Sequence, residues 1–491
     1  MFRSHELIRT KIIATVGPAS QDVAILRKLL AAGVSVFRLN FSHGSLADHA
    51  KSVSAIRAAA DAEGAVTAIM GDLAGPKIRL DAIPGDRREL QPGDSLRFVR
   101  RDSARKPLDV STSYANLLDE LRVGHRVMID DGQVQLRVAD VRDGAAHCVC
   151  EAGGVIATRK GVNLPDTPLS LPSLTDKDVQ DLEWAVRQEL DYVALSFVRE
   201  ANDLVDLRER IRAQGGRLPI VAKIEKPEAV KNINTIIEQC DVLLVARGDL
   251  GVEMDLARVP LIQKEIVRQC TYAGRPVIIA TQMLQSMVER PAPTRAEVSD
   301  VANAILDGAD AVMLSAETAI GRHPVSAVTI MHRIAQQTEP SLQRLAREVN
   351  LEVLGATMRV TSAVARGAAL LARDLDAKAV AVWTKVGHTP RLLSKHRLGV
   401  PIVGLSPDAA VCRRMAMYRG VVPVRLAEDA DTDAMLRCLD DALMQRGFVQ
   451  PRDLCLVILG TRLTRPGSTN TLLIHLVHGG EDGTPSQRTD R

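Results

Sequence analysis

The sequence predicts an α/β protein: a (β/α)8 TIM barrel, a small all-β lid domain inserted into it, and a C-terminal open α/β sheet domain. Three observations carry that expectation. Apolar, β-branched runs recur eight times with helix-like stretches between them, one long segment without an amphipathic helix interrupts them, and the alternation restarts after about Ser341. At 491 residues the chain is also too long for one core.

The barrel strands are expected at Lys11–Val16, Val34–Leu39, Val66–Gly71, Asp191–Ser196, Pro219–Ile224, Asp241–Ala246, Pro276–Ala280 and Ala311–Leu314. Most are continuous apolar runs, as suits parallel strands covered on both faces. A helix follows Pro260, with Ile262, Ile266 and Val267 at helical spacing. From about Ile78 to Pro172, Pro84-Gly85, Pro92-Gly93 and Asp131-Gly132 punctuate short strands, and the alternation across Val127–Val138 predicts a hairpin. This insert follows the third strand, so it rises from the barrel's C-terminal face, where a lid would sit. The last domain is expected to hold a helix near Thr357–Asp374 and strands Ala379–Trp383, Val400–Leu405, Val421–Arg425 and Leu454–Leu459. The domains thus run 1–77 with 173–341, 78–172, and 342–478, and the polar tail 479–491 is expected to be disordered.

Composition excludes several classes. Apolar residues at 46% and charged residues at 25% are ordinary for a soluble globular chain, and a net charge of +3 carries no nucleic-acid footprint. The basic stretch Arg97–Lys106 reads as a solvated surface. No run of about 18 uninterrupted apolar residues offers a membrane span, and MFRSHELIRTK lacks an apolar signal core. The seven cysteines include no CxxC, and Cys148 and Cys150 should share one strand face. A reducing cytoplasm is the expected location.

In such a barrel the C-terminal ends of the strands build the active site. Here they carry Arg38 and Asn40–His43, Asp72, Lys223 and Glu225, Arg247–Gly251, Thr281 and Gln282, and Ser315 with Glu317. Glu225 and Asp249 beside an ammonium at Lys223 suggest a divalent metal next to an anion being transferred or developing on oxygen. No Ser/His/Asp or Cys/His arrangement is evident, and no Gly-Lys dipeptide forms a Walker A loop. The set suits metal-assisted phosphoryl or enolate chemistry. Taken singly, each residue has a plainer role: Arg38 as an ion-pair partner, Lys223 as a surface lysine, Gly248–Gly251 as a tight turn before a helix, His43 as a local hydrogen-bonding group.

Longer stretches extend the pattern: RTKIIATVGPAS (Arg9–Ser20), FRLNFSHG (Phe37–Gly44), GPKIR (Gly75–Arg79), KGVNLP (Lys160–Pro165), ARGDLGVE (Ala246–Glu253), ATQMLQSM (Ala280–Met287), PTRAEVSDVANAILDGADAVMLSAET (Pro293–Thr318) and TKVGHTPRLLSKHR (Thr384–Arg397). In these motifs and their order, across nearly its whole length, the chain closely resembles pyruvate kinases. The resemblance implies a phosphotransferase moving the phosphoryl group of phosphoenolpyruvate to ADP, giving pyruvate and ATP, the last step of glycolysis. It implies Mg²⁺ (or Mn²⁺) on Glu225 and Asp249, and Lys223 neutralising the phosphoryl group in flight. Gly248 and Asp249, with Thr281, would hold the substrate carboxylate, and Arg38 the phosphate. Asn40, Phe41, Ser42, His43 and Arg79 match positions contacting nucleotide phosphates, and Thr281 and Ser315 lie where a water-linked relay protonates the enolate. A homotetramer is implied as well. In the last domain Thr384, Lys385, Gly387 and Thr389 form a donor-rich loop leading into a helix at Pro390, suited to the phosphate of a sugar phosphate or AMP effector.

Two departures stand out. Where many members have Asp-Thr-Lys-Gly-Pro-Glu, this chain has Asp72-Leu73-Ala74-Gly75-Pro76-Lys77. The monovalent-cation site of Asn40, Ser42 and Asp72 loses a hydroxyl at Leu73, and Lys77 brings an ammonium in place of a glutamate, which predicts that K⁺ is not required. Glu183 stands where some relatives carry a nucleotide-contacting lysine. The competing expectations are a Mg-dependent lyase or aldolase making pyruvate enolate on the same barrel, and a catalytically silent metabolite-binding protein using the last domain alone.

Overall fold

The computed structural model of the chain describes residues 7–103, 108–345, 351, 356–427, 432–460 and 469–478. The expected disordered tail, 479–491, lies outside them. Strands β1 (Lys11–Thr15), β2 (Val34–Asn40) and β3 (Ala68–Asp72) open the barrel. The insert follows as β4 (Arg87–Leu90), β5 (Ser95–Val99), β6 (Asp109–Val110), β7 (Arg126–Ile129), β8 (Val134–Arg142), β9 (Ala145–Ala152), β10 (Gly154–Ala157) and β11 (Val162–Asn163). The barrel resumes with β12 (Tyr192–Leu195), β13 (Ile220–Ile224), β14 (Val242–Ala246), β15 (Val277–Ala280) and β16 (Ala311–Leu314). These eight strands are parallel and close in the order β1-β16-β15-β14-β13-β12-β3-β2. Each expected strand is present, with ends shifted by at most two residues.

The period of two along each strand divides the buried residues into two clusters. Ile12, Phe37, Ile69 and Val193 pack against the surrounding helices, while Ile13, Val36, Met70 and Ala194 fill the barrel. Thr15, Arg38, Asn40, Asp72, Ser196, Lys223 and Glu225 continue the inward parity above these residues, so the top of the barrel is polar. The helices between are fixed at their starts by capping boxes at Ser45, Thr175 and Thr294.

The insert is the expected all-β unit: a six-stranded sheet, β11-β7-β8-β9-β5-β6, and a two-stranded one, β10-β4. The Asp131-Gly132 hairpin forms between β7 and β8, and Cys148 and Cys150 both turn into its core. Sequence reading missed one helical turn, Leu117–Glu120. In the described part of the basic stretch, Arg97 pairs with Asp109, Arg100 with Asp119 and Arg101 with Asp81, while Arg105 and Lys106 lie outside the described residues.

The C-terminal sheet runs β19 (Val421–Arg425), β18 (Ile402–Ser406), β17 (Ala379–Trp383), β20 (Leu454–Gly460), β21 (Thr469–Leu476). The edge strand β21 was not anticipated. It is antiparallel to β20 and exposes Ile474 and Leu476, so its sequence shows no clean alternation. This domain docks on the N-terminal end of the barrel, away from the polar layer. The Tyr192 hydroxyl donates to the Arg414 carbonyl at 2.7 Å, Arg413 pairs with Asp191 at 2.7 Å, and Lys395 pairs with Asp310 at 2.6 Å.

Candidate active site

Strand register brings the polar layer together. Thr15 lies beside Arg38, and Asn40 beside Asp72. Asp72 is the hub: its Oδ2 accepts from Arg38 Nε at 2.6 Å and its Oδ1 lies 3.3 Å from Lys223 Nζ. Lys223 Nζ also donates to Ser196 Oγ at 2.6 Å and sits 2.8 Å from Glu225 Oε1. Glu225 Oε2 accepts the Phe197 N–H at 2.9 Å. Phe197 adopts a left-handed backbone, φ 57°, to present it.

Electrostatics follow from burial. Burial opposes the charge on Asp72, but Lys223 and Arg38 outweigh it and hold its carboxyl below the usual range. Burial likewise opposes the Lys223 ammonium, and Asp72 and Glu225 reverse that, so its pKa rises and it stays charged. Glu225 moves the other way: burial pushes it up, Lys223 pulls it back, and the nearby Asp249 charge adds to the rise. Two carboxylates, Glu225 buried at a strand end and Asp249 exposed in the helix that follows the next strand, make an oxygen donor set that fits a hard divalent cation.

Gly248–Gly251 is not a turn before a helix, as the sequence suggested, but part of the helix Arg247–Glu253. In its first turn the Gly248 N–H donates to Thr281 Oγ1 at 2.7 Å. A Cβ on Gly248 would meet that oxygen at 3.3 Å, so glycine is what allows the approach. Thr281 and Gln282 both hold positive φ, 70° and 55°. For a β-branched residue this is stored strain of about 1–3 kcal/mol. Arg247 holds it in place, donating to the Thr281 carbonyl at 3.0 Å and pairing with Asp300 at 2.6 Å. Ser315 makes no hydrogen bond to Thr281; its N–H donates to Glu317 Oε2 at 2.7 Å.

Above this layer the lid base closes a cleft. Two adjoining cavities, of about 390 and 280 Å³, share Lys77, Ile78 and Arg79 as a wall. The first is lined by Ser42, Tyr114 and Lys177, the second by His43, Lys160, Phe197 and Asp249. The lid is tied to the barrel here, since Asn163 Nδ2 and Lys226 Nζ both reach Glu253 Oε1, at 2.7 and 2.8 Å. His43 is held below its usual pKa by partial burial and by Lys77, Arg79 and Arg38. A larger cavity of about 540 Å³ lies at the other end of the barrel, by Arg208 and Asp241, remote from these carboxylates.

Not every expected residue faces the cleft. The Phe41 ring is buried edge-on against His49 and Trp184, and its backbone N–H donates to the Asp72 carbonyl at 3.0 Å. Glu183 sits on the exposed outer face of the helix Asp176–Arg187. Lys177, which sequence reading passed over, stands nearly two turns earlier in the same helix and donates to the Phe41 carbonyl at 2.8 Å. Ser196 entered the sequence reading only as the last residue of an expected strand and Arg247 only within Arg247–Gly251, because neither carries a local mark of its partners. In the C-terminal domain, Thr384 Oγ1 accepts the Gly387 N–H at 2.9 Å and Thr389 shares a hydrogen bond with Thr469 at 2.8 Å. Those two hydroxyls of the expected effector loop are therefore engaged within the domain.

Comparison with known proteins decides the family. The model of the pyruvate kinase barrel domain matches residues 7–328, and that of the pyruvate kinase alpha/beta domain matches 362–475. The chain belongs to the pyruvate kinase family. It is 42% identical over 473 residues to a pyruvate kinase of Agrobacterium vitis, covering 95% of this chain and 96% of that one. It is 41% identical over 473 residues to the pyruvate kinase of Geobacillus stearothermophilus, covering 96% and 80%. The pyruvate kinase of Mycobacterium intracellulare is 39% identical over 474 residues, covering 96% and 99%.

Proposed function

We propose that this pyruvate kinase family member transfers the phosphoryl group of phosphoenolpyruvate to ADP, giving pyruvate and ATP, with Arg38, Lys223, Glu225, Asp249 and Thr281 as its working residues. The observation that carries the reading is the Lys223 ammonium, held between Asp72 and Glu225 beside a second, cationic cleft lined by Lys77, Arg79 and Lys177. A lyase forming pyruvate enolate needs the first and has no use for the second.

Each role follows from position. Glu225 and Asp249 would hold Mg²⁺, which supplies Lewis-acid stabilisation of negative charge on oxygen. Arg38 and Lys223 face the same space as those carboxylates and offset the charge on the phosphoryl group, most strongly while it is between donor and acceptor. The N-terminal turn of the helix Arg247–Glu253, with the Thr281 hydroxyl, orients the substrate carboxylate. Asn40, Ser42, His43, Arg79 and Lys177 line the path to the nucleotide phosphates. Thr281 and Ser315 stand on the side from which a water would protonate the enolate. Coupled assay of pyruvate formation from phosphoenolpyruvate with ADP, with and without Mg²⁺, tests the whole; pyruvate release that does not require ADP would overturn it.

The same reading makes the enzyme independent of K⁺. Leu73 is fully buried with its N–H on the Ala194 carbonyl, while Lys77 is exposed on the cleft wall, close enough to depress His43. A permanent positive charge there does the electrostatic work of a bound cation. The reading extends to a homotetramer, and to a phosphorylated effector at Thr384–Thr389 that titration of phosphoenolpyruvate with and without sugar phosphates or AMP would reveal.

A further inference from the structure

We infer that the C-terminal domain carries a structural zinc site built from Asp440, His475 and His478. Asp440 lies on the helix Thr432–Gln445, His475 near the end of β21, and His478 three residues further on. His475 Nε2 is 2.7 Å from Asp440 Oδ1. His478 Nδ1 is 3.2 Å from Asp440 Oδ2, and the His478 backbone N–H donates to that same oxygen at 3.0 Å. One donor atom from each residue lies within 4.8 Å of the other two.

A lone buried carboxylate is satisfied by one imidazole and one backbone N–H. Here a second imidazole converges on it, with ring centroids 5.3 Å apart. Two imidazole nitrogens and one carboxylate oxygen form the donor set that zinc takes, at about 2.0–2.2 Å each, once the ion displaces the protons that now bridge them and the 2.7 Å Asp440–His475 pair opens to tetrahedral ligand spacing. The Asp440 and His475 side chains are 3% and 5% exposed, so two ligands are preset by the core, while His478 at 72% leaves a face open to a fourth donor from solvent. Cys455 is directly opposite His475 in the β20–β21 register, hence on the same face, and is fully buried. Two imidazole donors bias the cluster toward zinc and away from the hard ions that suit the all-oxygen pair in the barrel.

The ion would join the helix to β21, which is paired on one side only and forms the antiparallel edge of the sheet. Its consequence is therefore stability of that edge, with the barrel chemistry untouched.

The test uses the full-length protein, stripped with chelator and equilibrated with Zn²⁺ while Mg²⁺ in large excess occupies the barrel carboxylates. Wild type should take up a full equivalent more than His478→Ala, a change at an exposed ring that leaves the core closed. Affinity should fall by more than the ~10–100-fold that loss of an outer-shell partner costs. Zn²⁺ should raise the Tm of wild type and not of the variant, Co²⁺ should give visible ligand-field bands only in wild type, and phosphotransfer should be equal in both. Equal zinc uptake by the two proteins, or wild type without cobalt bands, would overturn the site and leave a plain Asp–His contact.

Discussion

Replacing Lys223 by methionine separates the two halves of the chemistry. The substitution keeps the stem and removes three contacts, to Ser196 Oγ at 2.6 Å, Glu225 at 2.8 Å and Asp72 at 3.3 Å. Removing one partner from a buried ion pair costs about 3–5 kcal/mol. Here Asp72 retains Arg38 at 2.6 Å and Glu225 retains the Phe197 N–H, so the protein should fold with the cost at the low end. Catalytically, a cation aimed at a transferring phosphoryl group contributes roughly 10³–10⁵ in rate, about 4–7 kcal/mol at 1.36 kcal/mol per decade. Phosphotransfer should fall by that factor. Enolate formation on bound pyruvate depends on Glu225 and Asp249, so exchange of its methyl protons with deuterated water should stay within roughly tenfold, or ~1.4 kcal/mol. The assay is pyruvate proton exchange by NMR beside coupled phosphotransfer, on protein shown to be folded by circular dichroism. Loss of exchange in step with transfer would refute the division of labour.

Activity should be nearly equal in Na⁺, K⁺ and tetramethylammonium buffers, and Lys77→Glu, alone or with Leu73→Thr, should create a K⁺ requirement; wild type rescued from tetramethylammonium only by K⁺ would contradict this. His396 is buried and its pKa is pushed down to about 4 by burial and by Arg373 and Arg366. The unfolded chain then binds the extra proton between pH 6.5 and 4, so stability should fall as pH drops through that window, by up to about 3 kcal/mol. Denaturant titration of His396→Gln should show a shallower acid limb. Lys395→Met leaves Asp310, 3% exposed, with the Val277 N–H but without its lysine at the junction of barrel and C-terminal domain; a loss of about 3 kcal/mol is expected, read as an earlier unfolding transition with kcat unchanged.

Much of this was legible in the chain. Eight apolar runs with polar residues at their ends determine a parallel barrel and its reactive face, because burial on both faces leaves only strand ends free to carry charge. Lys223, Glu225, Asp249 and Arg38 were therefore visible as candidates from position alone. What the sequence could not state was which of them touch. Asp72 joins Arg38 to Lys223 across 34 and 151 residues of chain, and only barrel closure, which sets β3 between β2 and β12, brings the three together. The helical state of Gly248–Gly251, the positive φ of Thr281, the burial of the Phe41 ring and the pairing of β21 were likewise decided by packing. A hydrogen bond or a strained dihedral depends on neighbours remote in sequence, while local periodicity reports only which face of an element is apolar.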